Sequence, residues 1–127
     1  MENINTIVVF DEEDKKAVDV LRKHALDDTE AAILWLLNKE GDMKSIDIER
    51  TLYIRQPTAS VNLASLKDRK FVDFRKTSNP GKGRPTQVWF LTKTMKEIIR
   101  LIQKETEAKI KTLSEEHEEL EKIAAAV

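Results

Sequence analysis

Cysteine is absent from this 127-residue sequence, and histidine occurs only twice, as His24 and His117. The lack of cysteine excludes disulfide scaffolds, thiolate zinc sites and thiol redox switches, and it is typical of intracellular proteins. Two histidines so far apart in the sequence form neither a nucleophilic triad nor a metal cluster of histidine and cysteine. We therefore expect no catalytic residues, no metal and no cofactor, and we predict that the protein is not an enzyme.

Long apolar runs and a secretion leader are also missing. No run approaches the roughly 20 apolar residues that span a bilayer. The opening residues, MENINTIVVF, lack a basic leader and a small-residue cleavage site. We predict a cytoplasmic protein with no membrane partner, associated with the nucleoid if it binds DNA. The length corresponds to one domain, or to one small domain with an appended helix.

The net charge is only −1, but the charges are unevenly distributed along the chain. Residues 1–43 carry 5 cations and 11 anions, which gives a net charge of −6. Residues 44–96 carry 12 cations and 4 anions, net +8, and residues 97–127 carry 5 and 8, net −3. A basic middle segment is a candidate face for a polyanion, although an ordinary solvated surface with chance clustering explains the same pattern.

Helix signals fill the first half of the chain. We predict an N-terminal arm and a first helix within residues 1–26. The capping box Asp27–Glu30 predicts a second helix that ends at Gly41. We expect Ser45 to cap a third helix, and Gln56 to cap a fourth that runs from about Pro57, because proline is favoured at the first helical position. The expected apolar set of the third helix is Ile46, Ile48, Leu52 and Tyr53. Two helices joined by so few residues are typical of a helix-turn-helix.

Glycine and proline are scarce, with three of each, and two of each fall in TSNPGKGRPTQVWFLT, residues 77–92. Strand-like residues flank this loop at 72–76 and 87–91, which predicts a β-hairpin with a projecting tip. A helix-turn-helix followed by such a hairpin is the winged helix-turn-helix pattern. The predicted fold class is mainly α with a small β-hairpin (α+β), and residues 1–92 form the winged-helix domain.

Residues 93–127 read as one long C-terminal helix that nothing interrupts before the last residue. Beyond residue 105, apolar or neutral side chains recur at spacings of three and four: Ile110, Leu113, His117, Leu120, Ala124 and Val127. We call this set the seam stripe. A stripe this narrow predicts a coiled-coil seam between two copies of the chain, and therefore a homodimer. The alternative is a single helix that folds back along its own domain.

A helix motif and a wing motif follow each other in a fixed order between residues 44 and 92. The motif residues are Ile54-Arg-Gln-Pro-Thr-Ala-Ser60, Leu63, Leu66, Phe71-Val72, Gly81-Lys-Gly-Arg-Pro85, Val88-Trp89 and Leu91-Thr92. Over about 50 residues the sequence resembles archaeal and bacterial winged-helix transcription regulators of the ArsR, MarR and TrmB type. It departs from their pattern at Val61, where Arg or Lys is common, at Ala64, where a bulky residue is common, and at Lys70, where glycine is usual. The cysteine metal sites of some ArsR-type sensors cannot be carried over.

The resemblance implies a sequence-specific regulator that binds double-stranded DNA as a homodimer, with the fourth helix in the major groove and the wing near the minor groove. The candidate base-reading residues are Gln56, Thr58, Ser60, Val61 and Asn62. Gln and Asn suit adenine edges, and Val61 suits a thymine methyl group. The candidate phosphate contacts are Lys44, Arg55, Lys67, Arg69, Lys70, Arg75 and Lys76, and the wing adds Lys82 and Arg84.

Two other functions fit the same residues. One is a nucleoid protein that binds DNA with low sequence specificity, against which the low net charge argues mildly. The other is a winged-helix module for protein–protein assembly, with the long helix as its interaction element. The sequence specifies neither an operator nor a small-molecule effector.

Overall fold

The computed structural model describes residues 10–24, 26–77 and 86–127, so the predicted arm at residues 1–9 and the wing tip at 78–85 lie outside the described residues. The helices are α1 (Glu12–Arg22), α2 (Asp28–Glu40), α3 (Ser45–Leu52), α4 (Gln56–Asp68) and α5 (Met95–Ala126). The strands are β1 (Met43–Lys44), β2 (Val72–Thr77) and β3 (Thr86–Leu91). The chain divides into two compact units, one that ends at Met95 and one that comprises Lys96–Val127.

Reciprocal side-chain caps begin the first two helices. Asp11 accepts a hydrogen bond from the Asp14 backbone at 2.8 Å, and the Asp14 side chain accepts one from the Asp11 backbone at 3.0 Å. The predicted box at α2 has the same form, with distances of 2.7 Å and 3.1 Å between Asp27 and Glu30. Each cap satisfies backbone donors that the first turn leaves free, and a cap of this kind is worth about 1 kcal/mol.

The predicted caps of the third and fourth helices are each one residue too late. Lys44 is the N-cap of α3 and Arg55 is the N-cap of α4, and neither makes a side-chain cap hydrogen bond. Ser45 and Gln56 are already the first helical residues, so Pro57 occupies the second position of α4. Proline is tolerated there because the first four backbone N–H groups of a helix have no partner within the helix.

The three strands form one antiparallel sheet in the order β1-β3-β2. The predicted hairpin pairs Val72 with Leu91 at one end and Thr77 with Thr86 at the other. The sequence did not predict β1, which adds two residues to the free edge of β3 through the pair Met43 and Trp89. Two residues are too few to produce the apolar–polar alternation that identifies a strand.

Helix α2 is the centre of the first unit, where it contacts α1, α3, α4 and β3. The side chains with almost no exposed surface include Ile33, Leu34, Leu36, Ile48, Leu63, Leu66, Phe71 and Val72. Of the predicted apolar set of the third helix, Ile48 and Leu52 are buried, whereas Ile46 and Tyr53 are 41% and 52% exposed. Ile48 and Leu52 lie four residues apart on one face of α3, and this buried face points away from Ile46 and Tyr53.

Helix α5 is continuous over 32 residues, which corresponds to a length of about 48 Å. Every residue from Glu107 to Val127 is exposed. Within the described ranges, no helix combines the length and the apolar character that crossing a bilayer requires.

Candidate nucleic-acid interface

A three-residue turn, Tyr53 to Arg55, joins α3 to α4. Tyr53 adopts the left-handed conformation with φ 56° and ψ 45°, and Arg55 is extended with φ −83° and ψ 157°. The Ile54 backbone N–H reaches back to the Glu49 carbonyl at 3.0 Å, which closes the last turn of α3. The turn directs the chain into α4, so the two helices have the connection that is typical of a helix-turn-helix.

Four of the five predicted base-reading residues are exposed on α4, namely Gln56, Thr58, Ser60 and Val61. Asn62 requires a correction, because its side chain is only 8% exposed and its Nδ2 donates to the Thr58 carbonyl at 2.8 Å. It lies on the core side of the helix and not on the exposed face. The spacing could have shown this, since Asn62 follows the core residue Ala59 by three positions and precedes the core residue Leu66 by four.

A partly buried hydrogen bond joins α4 to the start of α2. The Ser65 hydroxyl donates to Glu30 Oε2 at 2.5 Å, and Glu30 is 7% exposed. The other oxygen of Glu30 accepts from the Asp27 backbone. The sequence predicted Glu30 only as a helix cap, but its carboxylate also fixes the position of the helix that carries the predicted base-reading residues.

Lys70, just after the end of α4, has a left-handed backbone conformation with φ 66°. The resemblance pattern has glycine at this position, which is the residue that adopts such a φ without strain. The Lys70 carbonyl accepts from the Thr92 hydroxyl at 2.5 Å and from Lys93 Nζ at 3.1 Å. The Thr92 backbone donates to the Phe71 carbonyl at 3.0 Å. These bonds tie the end of the hairpin to the end of α4.

The predicted phosphate-contacting cations are exposed, except for Arg69, which is half-buried. Some of them already interact with other side chains of the protein. Arg75 donates to Asp42 Oδ2 at 2.9 Å, and Lys67 Nζ lies 3.8 Å from Asp73 Oδ1. The Arg69 guanidinium stacks 4.8 Å from the centre of the Phe71 ring. Phosphates would therefore compete with carboxylates for Arg75 and Lys67.

The arms of the wing are β2 and β3, which pair as far as Thr77 and Thr86, where the Thr77 hydroxyl donates to the Thr86 carbonyl at 3.3 Å. The rings of Phe74 and Trp89 lie 4.8 Å apart and join the two arms on one face. Lys82 and Arg84, the cations predicted for the tip, lie outside the described residues. Their role stays a prediction.

The seam stripe is exposed along its whole length. Ile110, Leu113 and Leu120 are 60%, 64% and 65% exposed, and His117, Ala124 and Val127 are exposed as well. Ile123, which the sequence analysis did not include, is 62% exposed and lies at the edge of the stripe. An apolar row of this length on a charged helix is unusual for a surface that stays in water.

Among the described residues, Asp14 and Lys39 form an ionisable pair between α1 and α2 in which both pKa values are shifted. Hydrogen bonds from Lys39 Nζ, Trp35 Nε1 and the Asp11 backbone lower the pKa of Asp14, and the same carboxylate raises the pKa of Lys39. This cluster joins α1 to α2. Across the described part of the chain, no three His, Asp or Glu side chains gather in a way that could hold a metal ion.

Comparisons with known proteins support the winged-helix fold. The MarR family model matches residues 25–85, which include α2 to α4 and β2. Of the three regulator types that the sequence resembles, ArsR, MarR and TrmB, this match supports the MarR type. No curated protein sequence matches the chain.

Three solved structures illustrate the likeness. A possible transcriptional regulator from Methanosarcina mazei Go1 is 16% identical, with 80% of this chain and 85% of that chain covered and a TM-score of 0.66. A transcriptional regulator homologue from Pyrococcus horikoshii OT3 is 19% identical, with coverage of 80% and 97% and a TM-score of 0.53. A transcriptional regulator from Thermotoga maritima is 18% identical, with coverage of 82% and 72% and a TM-score of 0.51. At these identities the likeness concerns the fold, and the chain has the winged-helix fold that the sequence predicted.

Proposed function

We propose that the protein is a sequence-specific transcription regulator that binds double-stranded DNA as a homodimer. Helix α4 enters the major groove and the β2–β3 hairpin approaches the neighbouring minor groove. The observation that carries the proposal is the presentation of α4. It follows a three-residue turn, its inner face is buried, and Gln56, Thr58, Ser60 and Val61 are exposed near its N-terminus, the part of a recognition helix that contacts base edges.

The charge distribution supports a polyanionic partner. Residues 44–96, which contain α4 and both hairpin strands, carry a net charge of +8. Lys44, Arg55, Lys70 and Lys76 are exposed in this segment. Each phosphate that such a cation neutralises releases counterions, so the logarithm of the affinity falls with log salt by about 0.9 per contact. The proposal includes a cytoplasmic location on the nucleoid, where such a regulator meets DNA.

The exposed seam stripe supports the homodimer. Two copies of α5 that pack along the stripe would remove Ile110, Leu113 and Leu120 from water on both chains. A two-fold dimer presents two copies of α4 and therefore fits a palindromic operator. Its half-sites are expected about 34 Å apart, or at a multiple of that spacing.

Selection of binding sites from random double-stranded DNA tests the proposal. The full-length protein is expected to enrich a palindromic sequence and to bind it at least about 1,000-fold more tightly than random DNA at physiological salt. Gln56→Ala is expected to weaken binding to the selected site by about 1–3 kcal/mol. Gln103→Ala, an exposed glutamine on α5, serves as the matched control and is expected to have no effect.

The other outcomes separate the alternatives. Equal affinity for selected and random DNA would instead indicate a nucleoid-type protein. No binding at low salt would refute a DNA-binding function and favour the protein–protein assembly module.

A further inference from the structure

Helix α4 has an outward ridge that is almost free of hydrogen-bonding groups. The residues Ala59, Leu63 and Leu66 define its buried side. At about 100° per residue, the line opposite that side runs through Pro57, Val61, Ala64 and Asp68. All four are exposed, and Val61 is 69% exposed. The first three present only carbon to the surroundings, and we call them the apolar ridge.

The rest of the exposed surface of α4 is polar but uncharged near its N-terminus. Gln56 and Ser60 lie on one side of the apolar ridge, and Thr58 lies on the other. No Lys or Arg occurs from Gln56 to Leu66. Arginine and lysine make the commonest specific contact to guanine in the major groove. The first three turns of α4 therefore lack the side chains that usually read G·C pairs.

The one charged residue in line with the apolar ridge is Asp68, seven residues beyond Val61 and about 10 Å further along the helix. A carboxylate at that end disfavours close approach to phosphates. Exposed cations of the first unit that lie outside α4, namely Lys44, Arg55, Lys70 and Lys76, supply the attraction to the DNA backbone. With this distribution of charge, the apolar ridge is the part of α4 that would face the base edges in the major groove.

Only one apolar group projects from the base edges into the major groove, and it is the C5 methyl group of thymine. We propose that the apolar ridge packs against thymine methyl groups, with Val61 as the central contact, so that the preferred half-site is built around A·T pairs. Gln56 pairs with an adenine edge at the N-terminal end of the helix. This inference rests on the proposed function and specifies the class of DNA sequence that the site takes.

Uracil substitution tests the contact directly, because uracil lacks the methyl group of thymine and keeps its hydrogen-bonding edge. The full-length protein is titrated with the selected operator and with versions in which single thymines are replaced by uracil. For each methyl group that the apolar ridge contacts, we expect binding to weaken about fourfold. Replacing cytosine by 5-methylcytosine in the operator provides a second probe, since it adds a methyl group without creating an A·T pair.

Two valine variants connect the effect to α4. Val61→Ala is expected to remove the uracil penalty at one thymine of each half-site, because the side chain that contacts the methyl group is shortened. Val20→Ala on α1 is the matched control, since Val20 is also an exposed valine, at 53%. It is expected to keep the full penalty. Both side chains are exposed, so neither substitution removes a core contact.

The results distinguish this inference from the function on which it rests. DNA binding with equal affinity for thymine and uracil operators would overturn the inference alone, as would selected half-sites centred on G·C pairs. A penalty that survives in Val61→Ala would assign the methyl contact to another residue and would also overturn it. An absence of DNA binding at low salt would overturn both, and would leave the apolar ridge as a surface for a protein partner.

Discussion

Glu30 and Ser65 lie 35 positions apart in the sequence, yet their side chains share a hydrogen bond. Each has a second role, since Glu30 completes the cap of α2 and Ser65 lies on the helix proposed to read DNA. Because Glu30 is only 7% exposed, its Oε2 atom has little access to solvent as an alternative partner. The pair is therefore a point at which the loss of one hydroxyl group affects both stability and the position of α4.

Ser65→Ala is expected to lower the free energy of unfolding by about 1–3 kcal/mol, because it leaves a buried carboxylate oxygen without its donor. Urea denaturation followed by circular dichroism measures the change. Ser114→Ala on α5 is the matched control, since that serine is exposed, and we expect a change within about 0.5 kcal/mol. Equal effects of the two substitutions would show that the bond to Glu30 adds nothing to stability.

Local signals at single residues were predictable, and distant pairings were not. The caps at Asp11 and Asp27 depend on partners three residues away, so the sequence contains the whole interaction. The bond between Glu30 and Ser65 depends on how α2 and α4 pack, which no spacing within either helix specifies. Asn62 illustrates a different limit, because a polar side chain was assigned to the exposed face although its helical position lies on the core side.

At the scale of elements, α1 and α2 are joined by a carboxylate rather than by apolar packing alone. The Trp35 indole N–H donates to Asp14 Oδ1 at 2.9 Å, and Lys39 Nζ binds the other oxygen. The sequence analysis did not predict this contact, whose partners lie 21 positions apart. The helix pair therefore has a stability that depends on pH.

The sign of that dependence follows from the two pKa shifts. The hydrogen bond from Lys39, followed by those from Trp35 and the Asp11 backbone, lowers the pKa of Asp14 below its ordinary value of 3.8. The contribution of Asp14 to stability is therefore present above pH 3.8 and is lost as the pH falls through the lower, folded pKa. The pKa of Lys39 is raised above 10.5, so its contribution is present below pH 10.5 and is lost as the pH rises through the folded pKa.

We therefore expect Asp14→Asn to be less stable than the parent protein by an amount that stays constant from about pH 5 to about pH 9. The difference is expected to shrink as the pH falls below 3.8, because the unfolded parent chain then binds a proton at Asp14 while the folded chain does not until its lower pKa is reached. Urea denaturation at a series of pH values measures it, and Glu13→Gln in the same helical turn provides a control. A difference between parent and variant that does not change down to pH 2 would contradict the assignment.

The same elements show which parts of the interface the sequence could predict. The hairpin and the helix-turn-helix follow from punctuation by glycine and proline and from short connections, and the structure confirms both. The left-handed position at Lys70 was indicated only by the resemblance pattern, which has glycine there. Strand β1 was not predicted, because its pairing with β3 depends on where the sheet edge lies and not on its own two residues.

For the molecule as a whole, the proposed regulator requires two copies, and the seam stripe on α5 is the only set of residues to which we assign that contact. Burying one leucine side chain is worth about 1.5–3 kcal/mol, and a two-fold interface counts each position twice. Residues 97–127 carry eight carboxylates and five cations, so attraction between charges adds little to the stability of a single copy. A single copy would also expose the whole stripe to water. The proposed homodimer therefore depends on the apolar row.

Leu113→Lys combined with Leu120→Lys is expected to convert the dimer to a monomer in sedimentation velocity at micromolar concentration, because four charged side chains would enter one symmetric seam. Truncation after residue 104 is expected to do the same. Ala108→Lys is the matched control, since Ala108 is exposed on the face of α5 opposite the stripe, and this variant is expected to remain a dimer. Circular dichroism checks that the helices persist in the leucine variant.

The monomer is also expected to lose affinity for a palindromic operator while it retains weak, salt-dependent binding to a single half-site, because each α4 would then bind alone. A double lysine variant that still sediments as a dimer would mean that the two copies meet through another surface.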